Sequence, residues 1–345
     1  MRRAAKVFPE WAMVTIIVVA VVTIAVAVLA LIISGILSQD PDERGFSGPD
    51  SPYIARIKVV GEISGNASRF ASSDNAYHHR WTMQTINKLM SDGNNKGICL
   101  WIDTPGGAVY ECDELYLKLM EYKEKTGRPI YAYMRKMATS GGYYTAASAD
   151  EVFANRNSWT GSIGVSLGTI FDISGFLDEH GIRTNTIVSG DNKAMGSTYE
   201  PMTDEQRAIF QSLVDEAYDR FVAIVAEARG FTDKEARVVA DGRLYTAEQA
   251  LAAGLIDGIF GEVEAEAEIT SRFDGGAVIY DCFYKADTYY LSLITAVFGG
   301  DQGLIGALKD IFSGSPDKGD VTAVLELARE QAEAGVPPLK YLYAG

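Results

Sequence analysis

Cysteine is scarce in this sequence, and positive charge is in deficit. Cys99, Cys112 and Cys282 are the three cysteines among 345 residues, and none belongs to a CxxC pair. An odd number of scattered cysteines supports neither a disulfide framework nor a structural zinc site. No HExxH sequence or suitable acidic pair is present either, so we expect no metal and no other cofactor. Because 46 acidic residues oppose 31 basic ones, giving a formal charge of −15, we expect no nucleic-acid partner.

The longest apolar run spans residues 11–33 and has no charged side chain in its 23 residues. As a helix it would reach about 35 Å, enough to cross a hydrocarbon core of about 30 Å. Basic residues precede the run and mostly acidic residues follow it, so the positive-inside rule keeps the N-terminus cytoplasmic. We therefore predict a single-pass protein of the cell membrane, with a cytoplasmic N-terminus at 1–10, a transmembrane helix at 11–34 and an extracytoplasmic remainder. A cleaved secretory signal is the alternative, but the run is longer than such signals carry and no convincing A-x-A site follows it.

Beyond a predicted linker at 35–52, short apolar runs alternate with helical patterns, and 47% of the chain is apolar, enough for a large core. The runs that predict buried strands are Tyr53–Val60, Gly97–Asp103, Pro129–Met134, Glu151–Ala154 and Thr184–Ser189. Helices are predicted at Ala108–Lys125, from Thr203 to Arg229 with a stop at Gly230, and from Thr246 to a left-handed cap at Gly254. This order favours an α/β fold with a parallel sheet covered on both faces. We assign that domain to 53–272, and a C-terminal helical extension and tail to 273–345.

Two glycine-rich turns follow predicted strands and are candidates for chemistry. The first, DTPGG at 103–107, opens the helix at Ala108, so its free amides and the helix dipole face any anion placed there. The second contains Ser140, between the strand that ends near Met134 and a short Ala-rich helix. A serine at a glycine-flanked strand-to-helix turn resembles a nucleophile elbow, because the tight turn exposes the hydroxyl and leaves the next amide free. The same motif is also common as an ordinary helix N-cap.

A serine nucleophile needs a base, and the histidines are the first candidates. His78 and His79 precede a predicted helix, and His180 precedes Gly181 at a helix end, where a histidine is usually a solvated cap. None shows the partners of a Ser-His-Asp triad in the sequence, although the fold could still bring a histidine close to the serine. A lysine base is the other option, and it must lose its proton about three pH units below the ordinary lysine pKa of about 10.4. Lys193 follows an apolar run and lies among small residues, but composition alone favours a solvated loop lysine.

Further motifs occur in order along 53–272: VGEI, DTPGG, ATSGGYYTAASAD, TGSIGV, GDNKAMGS, PMTDEQ and DGRLYTAEQALAAGLID. Together they resemble the signal peptide peptidase A family, membrane-bound serine peptidases related to ClpP and the crotonases. The resemblance implies a ClpP/crotonase-like core of repeated β-β-α and βαβ units, in the single-copy form of the family. Thr104 is a small departure, because many relatives carry serine before Pro-Gly-Gly.

The resemblance assigns roles to individual residues. It implies that Ser140 is the nucleophile and that Lys193 is the general base. Ser162 of TGSIGV would orient the lysine amine. The backbone amides of Gly107 and Gly141 would form the oxyanion hole.

The resemblance also implies a function, namely endoproteolysis of cleaved signal peptides and similar apolar peptides at the membrane. Single-copy members form homo-oligomeric rings, expected here to be octameric, in which serine and lysine come from neighbouring subunits. Two alternatives stay open: an inactive membrane-anchored scaffold of the same fold, and an acyl-CoA enzyme of the crotonase type. The joint presence of Ser140, Lys193, Gly107 and Gly141 favours the peptidase, although another lysine such as Lys136 could serve as its base.

Overall fold

The fold is organised around a β-sheet in a computed structural model that describes residues 46, 48–65, 76–273 and 276–284. The strands are β1 (Tyr53–Val60), β2 (Asn95–Thr104), β3 (Ile130–Thr139), β4 (Glu151–Ala154), β5 (Trp159–Gly161), β6 (Leu244–Thr246), β7 (Gly258–Ile259) and β8 (Val278–Cys282). The helices are α1 (His79–Ser91), α2 (Val109–Thr126), α3 (Gly141–Ala146), α4 (Ser174–Glu179), α5 (Asp204–Arg229), α6 (Asp233–Val239), α7 (Ala247–Ala252) and α8 (Glu262–Ser271).

The sheet is mainly parallel, with strand order β6-β5-β3-β2-β1-β8. Among the described strands, the β5–β6 pair is antiparallel and the other pairs are parallel. Strand β3 is shared, because its first half pairs with β4 and its last three residues pair with β5. Parallel neighbours end at the same edge of a sheet, so the segments that follow β2, β3 and β5 are brought together there.

Buried side chains cover the sheet on both faces. Successive residues of a strand point to opposite faces, and in β2 Leu100 and Ile102 join a large cluster with α1, α2 and α3, whereas Cys99 and Trp101 join a smaller one. Helix α8 closes the smaller cluster. The predicted α/β fold with a parallel sheet covered on both faces is therefore confirmed. Cys99, in the apolar run of β2, is buried.

Most predicted elements are confirmed, because their signals are local. Helix α5 begins at a capping box formed by Thr203 and Gln206, and it ends at Gly230 with a left-handed φ of +65°. The strand predicted at Thr184–Ser189 is wrong. That apolar run meets no described strand, and it is exposed, with Ile187 at 91%.

Residues 164–203 leave the sheet after β5 and return to it through α5, and we call this segment the projection. It contacts the first half of α5, where Asn192 Nδ2 donates to Glu205 Oε1 at 3.2 Å. The buried residues of α5 all lie in its second half, between Phe221 and Val225. The projection therefore extends beyond the buried core. Its large exposed apolar side chains are Leu167, Ile170, Phe171, Ile173, Phe176, Ile182, Ile187, Val188 and Tyr199.

Several predictions fall outside the described part of the chain. The transmembrane helix at 11–34, most of the linker at 35–52 and the extension beyond residue 284 lie there. Within the described ranges, no helix combines the length and apolar character that crossing a membrane requires. Strand β8, which follows the predicted domain boundary at residue 272, pairs with β1 at the edge of the sheet.

Candidate active site

Ser140 occupies a strained turn between β3 and α3, with φ +52° and ψ −118°. Such a conformation costs a non-glycine residue about 1–3 kcal/mol and persists only where its surroundings hold it. Here the Ser140 amide donates to the carbonyl oxygen of Gly161 at 2.8 Å, and the Ser140 carbonyl accepts from the Tyr144 amide at 3.0 Å. The side chain makes no capping hydrogen bond to α3. The interpretation of Ser140 as an ordinary capping side chain is therefore wrong.

Ser162 lies beside Ser140 at the ends of two paired strands. Thr139 of β3 pairs with Gly161 of β5, so the serines that follow them leave the sheet next to each other. Ser162 has φ +50°, and these two serines are the non-glycine residues with positive φ in the described part of the chain. The amide of Ser162 donates to the carbonyl oxygen of Arg243 at 2.7 Å. This hydrogen bond holds the Ser162 turn against the residue that precedes β6.

The PGG turn after β2 packs directly against the Ser140 turn. A Cβ placed on Gly106, whose φ is +103°, would lie 2.7 Å from the Gly141 nitrogen and 2.9 Å from Ser140 Cβ. The Gly107 nitrogen lies 3.2 Å from the place that a Gly141 Cβ would take. The amides of Gly107 and Gly141 are therefore close neighbours, and neither donates to a residue that the structure describes. Both remain available to an anion formed beside Ser140.

Hydroxyl groups fix the PGG turn to the strands on either side. The buried Thr104 side chain accepts from the Gly106 amide at 3.0 Å and donates to the carbonyl oxygen of Gly61. Thr139 at the end of β3 donates to the Pro105 carbonyl oxygen at 3.1 Å. Since a serine at position 104 would offer the same hydroxyl, the threonine preserves the hydrogen bonds that shape the turn.

We expect Gly141→Ala to destabilise the protein by about 1–3 kcal/mol, the usual cost of overpacking a core. An added Cβ would lie 2.3 Å from Cys112 Sγ, which is buried. Cys112→Ala in the same chain removes that sulfur and should recover part of the loss. Denaturant unfolding of the variants measures both effects. Gly175→Ala is the control, because a Cβ there meets nothing within 4 Å. An unfolding midpoint for Gly141→Ala equal to that of the wild type would contradict the packing argument.

Lys193 is not joined to Ser140 by any contact within the described chain. It lies exposed in a tight turn of the projection, where its amide donates to the Gly190 carbonyl oxygen at 2.9 Å. Its side chain makes no hydrogen bond or ion pair with a described residue. Lys136, the alternative lysine, has a side chain that is 84% exposed and an Nζ that lies 3.8 Å from Asp103 Oδ2.

The histidines are engaged elsewhere. His79 Nε2 lies 2.6 Å from Glu114 Oε2, and its Nδ1 lies 2.8 Å from the Tyr77 hydroxyl. His78 stacks on the ring of Tyr284. His180 Nδ1 lies 2.8 Å from the Phe176 carbonyl oxygen at the end of α4, so the predicted role as a helix cap is confirmed. None of these contacts is with Ser140, and they give no support to a histidine base.

The cysteines are unsuited to act as nucleophiles, because all three are buried. Burial raises the pKa of Cys99 and of Cys112 to about 12, and it raises that of Cys282 as well. At pH 8 a thiol of pKa about 12 is ionised to about one part in ten thousand. We therefore expect iodoacetamide to leave the native protein unmodified at pH 8, as measured by intact mass, and to alkylate all three cysteines in denaturant. Alkylation of the folded protein at pH 8 would contradict this prediction.

Some parts of the site were not predicted from the sequence. Gly106 was not singled out, although its positive φ and its closeness to Ser140 make it essential to the turn. The Pro-Gly-Gly motif was the available signal for it. The Arg243 carbonyl and the Thr139 hydroxyl also hold the site, but each acts on a residue far away in sequence. No local pattern marks such contacts.

A serine on a strained strand-to-helix turn, next to two amides that donate to no described residue, is the arrangement typical of enzymes with a serine nucleophile. Sequence comparison makes this class specific. The pattern of peptidase family S49 matches residues 122–272, which contain Ser140, Ser162 and Lys193. The chain belongs to peptidase family S49.

Individual relatives agree with this assignment. A protein of Enterococcus faecium, provisionally named signal peptide peptidase SppA, is 34% identical over 61% of this chain and 61% of its own. A provisionally named protease of Methanocaldococcus jannaschii, MJ0651, is 33% identical over 54% of this chain and 59% of its own. The provisionally named protease slr0021 of Synechocystis is 32% identical over 61% of this chain and 71% of its own. The chain thus spans about three fifths of the length of the first two relatives.

Proposed function

We propose that the protein is a membrane-anchored serine endopeptidase that cleaves apolar peptides, with the remnants of signal peptides as its substrates. One observation carries the proposal: the Ser140 hydroxyl, left out of capping, stands on a strained turn beside the Gly107 and Gly141 amides. Folding alone does not require a strained serine backbone next to the two available glycine amides, so their combination points to a functional site. The name of the Enterococcus relative adds the substrate class.

In the proposed mechanism, Lys193 is the general base that takes the Ser140 proton while Oγ attacks the peptide carbonyl carbon. The carbonyl oxygen becomes an anion, and the two glycine amides stabilise it, each contributing about 3–4 kcal/mol. The lysine then returns the proton to the leaving amine, and the C–N bond breaks to leave an acyl-enzyme. Water, deprotonated by the same lysine, hydrolyses the ester. Ser162, beside Ser140, orients the lysine amine.

The serine and the lysine of one site come from neighbouring copies of the chain in this proposal. Within one chain, Lys193 lies exposed in the projection and lacks a described contact with Ser140. The projection also exposes large apolar side chains, among them Phe171 at 66% and Phe176 at 58%. Exposed apolar surface of this kind favours burial between subunits. A homo-oligomeric ring of ClpP/crotonase-like subunits, octameric in our proposal, would cover it and bring each lysine to the next serine.

The surroundings of Ser140 suit an apolar substrate. Val109 and Tyr110 follow the PGG turn and are 45% and 70% exposed, and Trp159 in β5 is 54% exposed. Because apolar side chains at the rim of a site favour apolar ligands, an extended hydrophobic peptide fits this surface better than a charged one. The anchor proposed at 11–34, which would put the catalytic domain on the extracytoplasmic side, would hold the site close to such peptides.

The proposal is tested on the full chain in detergent with a fluorophosphonate probe and a fluorogenic apolar peptide. We expect a single adduct, mapped by mass spectrometry to Ser140, and peptide cleavage that the probe abolishes. An intact protein that neither labels nor cleaves would favour the inactive scaffold of the same fold. Turnover of an acyl-CoA thioester without peptide cleavage would favour the crotonase-type enzyme.

A further inference from the structure

Tyr144 connects the helix that begins at Gly141 with the helix that follows the Gly107 turn. It lies in α3, one turn after Gly141, and its hydroxyl donates to Asp113 Oδ1 at 2.5 Å. Asp113 lies in the second turn of α2, a helix that begins two residues after Gly107. The hydrogen bond therefore joins α2 to α3 within the first two turns of each helix.

The ring of Tyr144 has little freedom to move. Its residue is 5% exposed, and its centroid lies 5.6 Å from the Tyr116 ring of α2 and 4.8 Å from the Phe221 ring of α5. Burial, followed by the hydrogen bond to Asp113, raises the pKa of Tyr144 far above its ordinary value, so the hydroxyl remains a donor. Tyr144 is thus fixed by packing against α2 and α5, and its hydrogen bond holds Asp113, and therefore α2, in place.

The glycines of the two turns have no side chains through which their spacing could be set. They meet through backbone atoms, since the place of a Gly106 Cβ is 2.7 Å from the Gly141 nitrogen. An oxyanion hole requires donors about 2.7–3.1 Å from the anion, and a displacement of about 1 Å can cost about a hundredfold in rate. A slide of α3 along α2 would separate the two amides by such amounts.

We propose that the Tyr144–Asp113 hydrogen bond is a clamp that sets the spacing of the Gly107 and Gly141 amides, which makes Tyr144 and Asp113 positioning residues for the transition state. This inference rests on the proposed function of the same site. The clamp acts on the oxyanion donors and not on the surface that binds the substrate. Its loss should therefore lower kcat and leave KM unchanged.

The kinetic test uses the full chain with an apolar peptide. Tyr144→Phe and Asp113→Ala should each lower kcat and the rate of fluorophosphonate labelling about tenfold at constant KM, a modest share of the effect of losing an oxyanion donor. The double variant should lose no more than either single one, because both changes break one bond. Asp113→Asn keeps an acceptor oxygen and should retain most of the rate. Losses that multiply in the double variant would overturn the clamp.

Tyr143→Phe is the matched control. Tyr143 is the preceding residue of α3 and is also buried, but its hydroxyl donates to the Leu255 carbonyl oxygen at 2.8 Å and not to α2. Its removal should lower stability and leave kcat and the labelling rate unchanged. An equal loss of kcat in Tyr143→Phe would reduce the effect of Tyr144 to general packing and would overturn the proposal.

Hydrogen exchange tests the clamp without reference to catalysis. Peptides covering 105–112 should exchange faster in Tyr144→Phe than in the wild type, and at the wild-type rate in Tyr143→Phe. Unchanged exchange of this segment in Tyr144→Phe would overturn the clamp even if activity fell. If the wild type neither labels nor cleaves, the proposed function fails, while the exchange comparison still decides whether the clamp exists.

Discussion

Replacing Ser140 or Lys193 by alanine is expected to lower kcat for peptide hydrolysis at least about a thousandfold, as the loss of a nucleophile or its base usually does. Neither residue belongs to the buried core, so both variants should fold. Ser140→Ala should also abolish fluorophosphonate labelling. Rates measured with a fluorogenic peptide, beside circular dichroism of each variant, check this result.

Lysine variants separate a base from a mere positive charge. Lys193→Arg keeps the charge but cannot release a proton near neutral pH, so we expect it to be as inactive as Lys193→Ala. Lys136→Ala is the matched control and should keep the wild-type rate, because that side chain is 84% exposed and lies 3.8 Å from Asp103. A fully active, folded Lys193→Ala would remove the dyad, and a selective loss in Lys136→Ala would transfer the role of base to that residue.

The elements of this fold were predictable where one stretch of chain contains the whole signal. Thr203 and Gly230 mark the two ends of α5, because a capping box and a left-handed glycine act within a few residues. The run at Thr184–Ser189 gave a wrong strand for the converse reason. An apolar run predicts burial but does not indicate which surface covers it. Here the run belongs to the projection and not to the sheet.

The site divides in the same way. The glycines around Ser140 indicated its turn. The strained conformation is held, however, by a hydrogen bond to Gly161 of β5, 21 residues further along the chain. Tyr144 and Asp113 are 31 residues apart, and nothing in either neighbourhood predicts their hydrogen bond. For Lys193, the sequence indicates a candidate base among small residues. It cannot say whether that lysine meets the serine of its own chain or of another.

Two inactive variants should restore each other when they assemble together. We expect Ser140→Ala and Lys193→Ala chains, co-expressed with different tags and purified through both, to regain about one quarter of the wild-type rate. In a ring of randomly mixed copies, each site takes its serine from one subunit and its lysine from the next, and both are intact at about one junction in four. Each variant purified alone should remain inactive, because every junction then lacks the same group.

The control mixes the Ser140→Ala chain with the double variant Ser140→Ala/Lys193→Ala. Neither chain then supplies the serine, so no activity should return. Light scattering must show that the mixed particles are assembled, since a monomer cannot share a site. Assembled mixed particles without activity would place serine and lysine of a working site in the same chain. Activity near one quarter would instead explain why Lys193, exposed in the projection, has no described contact with the Ser140 of its own chain.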